Sequence, residues 1–393
     1  MFNKEIIGKI KSIQIGFLPG ISIGRVIATR LYDTSVKSIA IRVIHALFYQ
    51  SKFTIIKEDL DADTLVFHGC KYMNRPDYDI MVGELQSKLS NRHDYMEVTE
   101  HFSLLSVFYN IYHALKVFSA VRGLNFFRKM YVSILFSHYI AAHGYIKGID
   151  LKRYKHLVTF CDAHGYDSLM TQISKGIGLK TYTLQHGQYK ILKSNYMADA
   201  EAYENFISDK MFVWGQATID EFLKFGFDES RFAITGWLKE RPQIIKAKVP
   251  VFGVLLSGDN IKVNRKLISI AVNLSDRINE TLLIRMHPKD SIENYIDLLH
   301  GNKSFFTTLS EEAFYSKVRF NISYMTGAFL DSIAYDVPCY IYENDMLSDI
   351  FRIDGLNFSS VDNLLILLSN AVDKKNDIAN YFLAPISKNI KLN

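Results

Sequence analysis

Cysteine is scarce in this chain of 393 residues: Cys70, Cys161 and Cys339 are far apart and odd in number. Their apolar, β-prone surroundings predict reduced, buried thiols in a cytoplasmic protein, with no disulfide framework or cysteine metal site. Long uncharged runs are missing too. No stretch approaches the ~20 apolar residues that span a bilayer, and the most apolar segment, Tyr131 to Ala142, closes at His143-Gly144. The opening Met1-Phe2-Asn3-Lys4-Glu5 has no basic region ahead of an apolar run, so no signal peptide is expected. Lysine and arginine are scattered and the net charge is only +5, which argues against a nucleic-acid footprint. Contact with an anionic membrane surface stays open.

The signatures of metal and nucleophile chemistry are also lacking. Asp61-Ala62-Asp63 precedes a strand instead of ending one, and the histidines have no His-x-x-x-His spacing, so neither metal nor cofactor is expected. There is no Gly-x-Ser-x-Gly elbow. Gly176-Ile177-Gly178 lies between helix and strand, the wrong side for a dinucleotide fingerprint.

What is present is apolar material, 48% of the chain, ample for a large core and long for a single one. Strand-like runs end in glycine or histidine turns throughout: Thr64–Phe67 into His68-Gly69, His156–Phe160 into Asp162-Ala163-His164-Gly165, Tyr182–Leu184 into Gln185-His186-Gly187. Lys210–Trp214 and Phe232–Thr235 follow, ending at Gly215 and Gly236. Helical stretches separate them, the pattern of a parallel sheet. Ser12–Leu18 reads as a first strand, and residues 98–140 as one or two helices broken near Arg122-Gly123. Lys239–Pro250 is the best linker. Beyond it the rhythm restarts with Val251–Leu256, Thr281–Met286, Val318–Ile322 and Cys339–Tyr342. The predicted class is α/β with two units, 1–240 (with a helical insertion near 98–140) and 241–393.

The chemistry concentrates at the strand ends. His186 would stand at the mouth of a cleft and exchange a proton near neutral pH, with Gly187 admitting a positive φ or a close approach. Asp162 and His164 end the neighbouring strand and offer an alternative base. In the second half, Arg285, His287 and Lys289 crowd a strand end whose turn Pro288 fixes. That set suits a phosphate: a planar fork, an aimed donor and a point charge. Ser323, Thr326 and Gly327 lead into a helix (Phe329–Tyr335): taken alone the turn reads as N-capping by Thr326, and taken with His287 it reads as an anion site at the helix N-terminus. Ser257 and Gly258 could add backbone donors.

These residues resemble the bacterial cell-surface polysaccharide transferases of the GT-B fold. The resemblance spans about Val158 to Tyr342 and rests on Gln185-His186-Gly187, Val213-Trp214-Gly215, Thr235-Gly236, Arg285-Met286-His287-Pro288 and Ser323 through Asp331. The two histidine motifs are similar to those of CDP-glycerol glycerophosphotransferases, and the His-Pro pair to those of bacterial sialyltransferases and capsule Kdo transferases. Where the polymerases have Trp-His-Gly-Thr, this chain has Gln185-His186-Gly187-Gln188. The resemblance implies two Rossmann-like domains facing across a cleft, with the acceptor side in 1–240 and the nucleotide-donor side in 241–393. It implies a metal-independent glycosyltransferase at the inner face of the cell membrane, using a CMP-, CDP- or UDP-linked donor and a glycan or lipid-linked acceptor. Gln185, Gly187 and Gly236 would line the cleft. A CDP-polyol phosphotransferase and a non-catalytic binding protein of the same fold are the alternatives.

Overall fold

The computed structural model describes residues 4–32, 35–188, 201–202, 205–239, 244–245, 249–258, 260–288, 290–299, 303–370 and 375–392. It opens on helices: α1 (Lys4–Lys11), α2 (Ile23–Ile27) and α3 (Val36–Phe48). The strand expected at Ser12–Leu18 does not form. Ile13 N–H bonds to Ile10 O, Leu18 N–H to Ile15 O and Ile21 N–H to Leu18 O, closing successive turns. With these donors satisfied locally the segment needs no strand partner, and Ile15 and Leu18 still reach the core.

The first sheet holds β1 (Tyr49–Lys57), β2 (Thr64–His68), β3 (His93–Phe102), β4 (His156–Thr159), β5 (Lys180–Leu184), β6 (Lys210–Val213) and β7 (Phe232–Ile234). Their order is β1-β3-β2-β4-β5-β6-β7. β1 runs antiparallel against β3; the other pairings are parallel. α4 (Pro76–Lys88) joins β2 to β3, and the pair α5 (Leu104–Phe118) and α6 (Phe126–Ile146) joins β3 to β4. The expected break falls between α5 and α6, where Gly123 takes φ +76°; Val98, the expected start of the helices, is still in β3. α7 (Gly165–Gly176) and α8 (Gln216–Leu223) complete the crossovers. β2 and β4 are buried along their whole length, which is why they read as continuous apolar runs and not as alternation.

The second sheet holds β8 (Val251–Leu255), β9 (Thr281–Arg285), β10 (Ser304–Thr307), β11 (Asn321–Ser323), β12 (Cys339–Tyr342) and β13 (Asn357–Phe358). α9 (Ile261–Ile278), α10 (Glu311–Lys317) and α11 (Ala328–Ala334) lie in their connections, and α12 (Val361–Ser369) follows β13. The strands are all parallel, in the order β10-β9-β8-β11-β12-β13. This is the Rossmann order, whose direction of winding reverses between β8 and β11, the place where ligands bind such sheets. The architecture is therefore α/β with two Rossmann-like units, the GT-B-like arrangement. Among the described residues no helix is long and apolar enough to cross a membrane.

The end of the chain crosses back. α13 (Lys375–Phe382) packs on α8. Beyond it Ala384 N–H bonds to Trp214 O, Trp237 N–H to Ala384 O, Ser387 N–H to Thr235 O and Ile390 N–H to Lys88 O. Residues 384–392 thus belong with the first sheet, which the boundary 241–393 does not anticipate. The crossing also explains Gly236, expected in the cleft. It takes φ +87°, and a Cβ there would lie 2.3 Å from Pro385 O, so its lack of a side chain serves the tail. Gly187 is the opposite case: a Cβ there meets nothing within 4 Å, and no positive φ requires a glycine.

These two glycines give a paired prediction. Gly236→Ala combines a positive φ with a backbone clash, each worth roughly 1–3 kcal/mol, and should lower the melting temperature clearly. Gly187→Ala should melt like the wild type. Equal melting of the two variants would contradict the role given to the tail.

Candidate active site

The carboxyl edge of the first sheet gathers the ends of β2, β4 and β5 with the start of α4. His186 follows β5 and His164 follows β4, and their rings lie 6.1 Å apart. Cys161 Sγ stands between them, 3.6 Å from His186 Nε2 and 3.8 Å from His164 Nδ1. Tyr78 of α4 sets its ring edge-on to His186 at 6.3 Å, and Phe160 packs at 5.8 Å. Burial lowers the His186 pKa to about 3, helped by His164 and then Arg75, and lowers that of His164 to about 4, helped by Arg30. Both imidazoles are neutral at pH 7, the form that can accept a proton. Each is a weak base until a negative charge is brought beside it.

The other residues expected at this edge act on the backbone. Asp162 is 1% exposed, and its carboxylate accepts the N–H groups of Ile207 and Ser208; burial raises its pKa. It points into the loop before β6 and not into a cleft, which counts against its role as the alternative base. Gln185 is also buried. Its Oε1 accepts from Trp214 N–H and the Thr218 hydroxyl, both at 2.9 Å, while Nε2 donates to Gly187 O at 3.2 Å. Gln185 therefore positions the turn that carries His186. Asp167 of α7, which the sequence did not single out, does the same for the β2 and β4 ends by accepting Gly69 N–H and Phe160 N–H. Burial raises its pKa to about 7.

The second sheet places Ser257 and Gly258 after β8 and His287 after β9, at the reversal point. Here the glycine is needed: a Cβ at Gly258 would fall 2.4 Å from His287 Nδ1. Asn264, fully buried on α9, holds the turn. Its Oδ1 accepts Ser257 N–H at 3.2 Å, and its Nδ2 donates to Ser257 O at 2.7 Å and to Tyr295 Oη at 3.0 Å. Tyr295 donates in turn to Asp290, whose N–H closes the turn onto His287 O. Asn260 caps α9, so an 18-residue helix begins beside His287. Lys289 lies outside the described residues.

Ser323 and Thr326 do not offer an open hydroxyl turn. Ser323 is buried and accepts from the Cys339 thiol at 3.3 Å, and Thr326 Oγ1 accepts Ala328 N–H at 3.4 Å. Gly327 precedes a helix of only seven residues, too short to act as a strong dipole, so capping describes this turn. Arg285 likewise turns aside from His287. It reaches Leu309 O at 3.4 Å and Glu311 at 4.0 Å, and lies over the Phe314 ring. Its neighbour Asp331 has a pKa raised to about 6 by burial and by Glu311.

Charges link the two edges. Asp331 of the second half feels Asp77 of the first, and both feel Lys239 between them. Arg75 holds Asp77 in a two-pronged ion pair and covers the Tyr78 ring at 4.0 Å. Arg75-Pro76-Asp77-Tyr78, at the start of α4, thus stands among the charges that link the two edges. Elsewhere, His45, Glu100 and His138 bring their ligand atoms within 4.8 Å of one another, a set that could hold a divalent metal. They come from α3, β3 and α6, so no local spacing reveals them. Tyr166 already donates to Glu100 and contacts His138 Nε2 at 2.6 Å.

No protein-family model matches the chain. No curated protein matches it in sequence. Among solved structures it is similar to UDP-GlcNAc 2-epimerase from Neisseria meningitidis bound to UDP-GlcNAc, with TM-score 0.49 and 11% identity over 83% of this chain and 96% of that one. It is also similar to UDP-GlcNAc 2-epimerase from Methanocaldococcus jannaschii, with TM-score 0.46 and 10% identity over 78% and 91%. A third is S. aureus TarM in complex with α-GlcNAc-glycerol and UDP, with TM-score 0.43 and 14% identity over 62% and 54%.

The depressed histidines make a pH prediction. His68 and His143 are also lowered to about 4, both by burial, whereas an unfolded imidazole titrates near 6.5. Between those values the unfolded chain binds more protons, so stability is lost as pH falls below ~6.5. Denaturant midpoints at pH 7 and pH 5 should show this loss, and the double variant His164→Gln/His186→Gln should flatten it. An unchanged slope in that variant would mean that both imidazoles already titrate normally in the folded chain.

Proposed function

We propose that this chain is a glycosyltransferase that moves a sugar from a nucleotide-activated donor to a cell-surface polysaccharide or lipid-linked glycan. The observation that carries the reading is Gly258 against the His287 imidazole at the reversal point of a Rossmann-order sheet, beside the start of α9. The absent side chain lets the imidazole close onto the Ser257-Gly258 backbone, gathering backbone N–H groups and the ring at one corner, which suits a diphosphate. His287 and the helix start would meet the charge that grows on the leaving phosphate. His186 would take the acceptor hydroxyl's proton on Nε2 as the acceptor oxygen bonds to the sugar carbon and the sugar–phosphate bond breaks. The donor's own negative charge would raise the His186 pKa toward the working range. Catalysis on this reading needs no divalent metal, and the donor is a CMP-, CDP- or UDP-linked sugar.

His287→Ala should abolish turnover and weaken nucleotide binding with the melting temperature retained. His186→Ala should leave nucleotide affinity within a few-fold of wild type and lower kcat by about 10²–10⁴, the usual worth of a general base. Steady-state kinetics with radiolabelled donors check both variants and show whether a sugar or a phosphopolyol moves. Full activity in folded His287→Ala would remove the donor site. A raised donor KM with unchanged kcat in His186→Ala would make His186 a binding residue.

A further inference from the structure

Helix α5 is built inside out. Its inward face is mostly small and polar: Ser106 and Ala114 are 7% and 8% exposed and Asn110 only 1%, with Val117 buried near the end of the helix. Ser106 Oγ donates to Leu47 O, and Asn110 Nδ2 to Ala46 O, at 2.9 Å each. Its outward face is large and apolar. Leu105, Phe108 and Leu115 are 80%, 76% and 70% exposed, and Phe126 and Phe127 at the start of α6 are 64% and 76% exposed. Phe126 lies 5.9 Å from Phe118 of α5, so the two helices contribute to one surface. A helix in water is expected to show the reverse pattern, and an apolar face of this extent marks something that covers it.

The charge around this face says what. From His101 to Ile149 the chain has no Asp or Glu and five basic residues: Lys116, Arg122, Arg128, Lys129 and Lys147. The neighbouring stretch from Ser35 to Lys57 adds Lys37, Arg42, Lys52 and Lys57, again without an acid. The whole chain is nearly balanced, with 46 Lys and Arg against 41 Asp and Glu, so the asymmetry is local. Lys116 Nζ sits over the Phe17 and Tyr112 rings and Lys129 Nζ over Phe118, which holds the cations at the margin of the apolar face. A second copy meeting this surface would bring like charges together with no carboxylate to offset them.

We propose that the α5–α6 face docks on an anionic lipid bilayer, with the aromatic and leucine side chains in the headgroup region and the cations on lipid phosphates. Among the described residues no helix is long and apolar enough to cross, and on this proposal α5 lies in the plane of the interface. The inference rests on the proposed function only in that a lipid-linked acceptor would be met there; the binding itself stands apart from catalysis.

Flotation of the full chain with vesicles tests it. The chain should float with phosphatidylcholine–phosphatidylglycerol vesicles, stay behind with pure phosphatidylcholine, and be released by high salt. Phe108→Ser/Leu115→Ser should abolish flotation, and Lys116→Glu should lower the partition coefficient at least ~5-fold. Melting temperature and the thermal shift on adding UDP or CMP should be unchanged in both variants, since the substitutions are exposed and far in sequence from His287. No flotation of the wild type with anionic vesicles overturns the proposal. So does a wild-type dimer in solution that the double variant converts to monomer, which would assign the face to a second copy. Flotation with no nucleotide response would keep the docking surface and fail the proposed function.

Discussion

Parallel sheets covered on both faces leave no place for polar chemistry except the ends of their strands. That constraint organises this molecule. β2, β4 and β8 are buried nearly throughout, and the residues proposed for the site come after strand ends: Gly258 after β8, His287 after β9, His164 after β4 and His186 after β5. In the second sheet the winding reverses between β8 and β11, which separates the crossover helices and opens a crevice there. In the first sheet the reversal falls between β2 and β4, where Asp167 closes the gap by binding the backbone of both ends.

Strand ends must also be held, because a turn beyond a strand has no ladder to fix it. The molecule fixes its turns with buried amide and carboxylate side chains that accept backbone N–H groups: Gln185 for the His186 turn, Asp162 for the loop before β6, Asn264 for the Ser257 turn. Each would be costly to bury without such partners. The returning tail adds a second kind of support, since Ala384 and Ser387 bond to the backbone beside Trp214 and Thr235, tying the end of the chain to the first sheet.

Much of this framework is legible in the amino-acid order because burial on both faces writes long apolar runs. Cys339–Tyr342 and the runs into His68, His164, His186 and His287 all appear as strands near their expected limits. Ser12–Leu18 misled because alternating isoleucines also suit a chain of tight turns. β1 and β3 went unread because Tyr49–Lys57 and His93–Phe102 mix charged with apolar residues, as a partly exposed pair does. At the site, position was readable but direction was not. Nothing in Asp162 or Gln185 alone shows that their side chains turn toward Ser208 and Trp214, and Arg285 meets Glu311 only once β10 and α10 are in place. Arg75, Asp77 and Lys239 join the charges that link the two edges through tertiary structure, so no motif marks them.

The central claim is that Gly258 and His287 form a phosphate-binding corner. The most direct measurement is calorimetric titration of Gly258→Ala with UDP, CDP and CMP beside the wild type. The added methyl would occupy the imidazole's place and displace a charge-assisted contact worth about 1.5–3 kcal/mol, so affinity for the nucleotide that binds wild type should fall about 10- to 100-fold with the fold retained. Unchanged affinity in a folded Gly258→Ala protein would contradict the account.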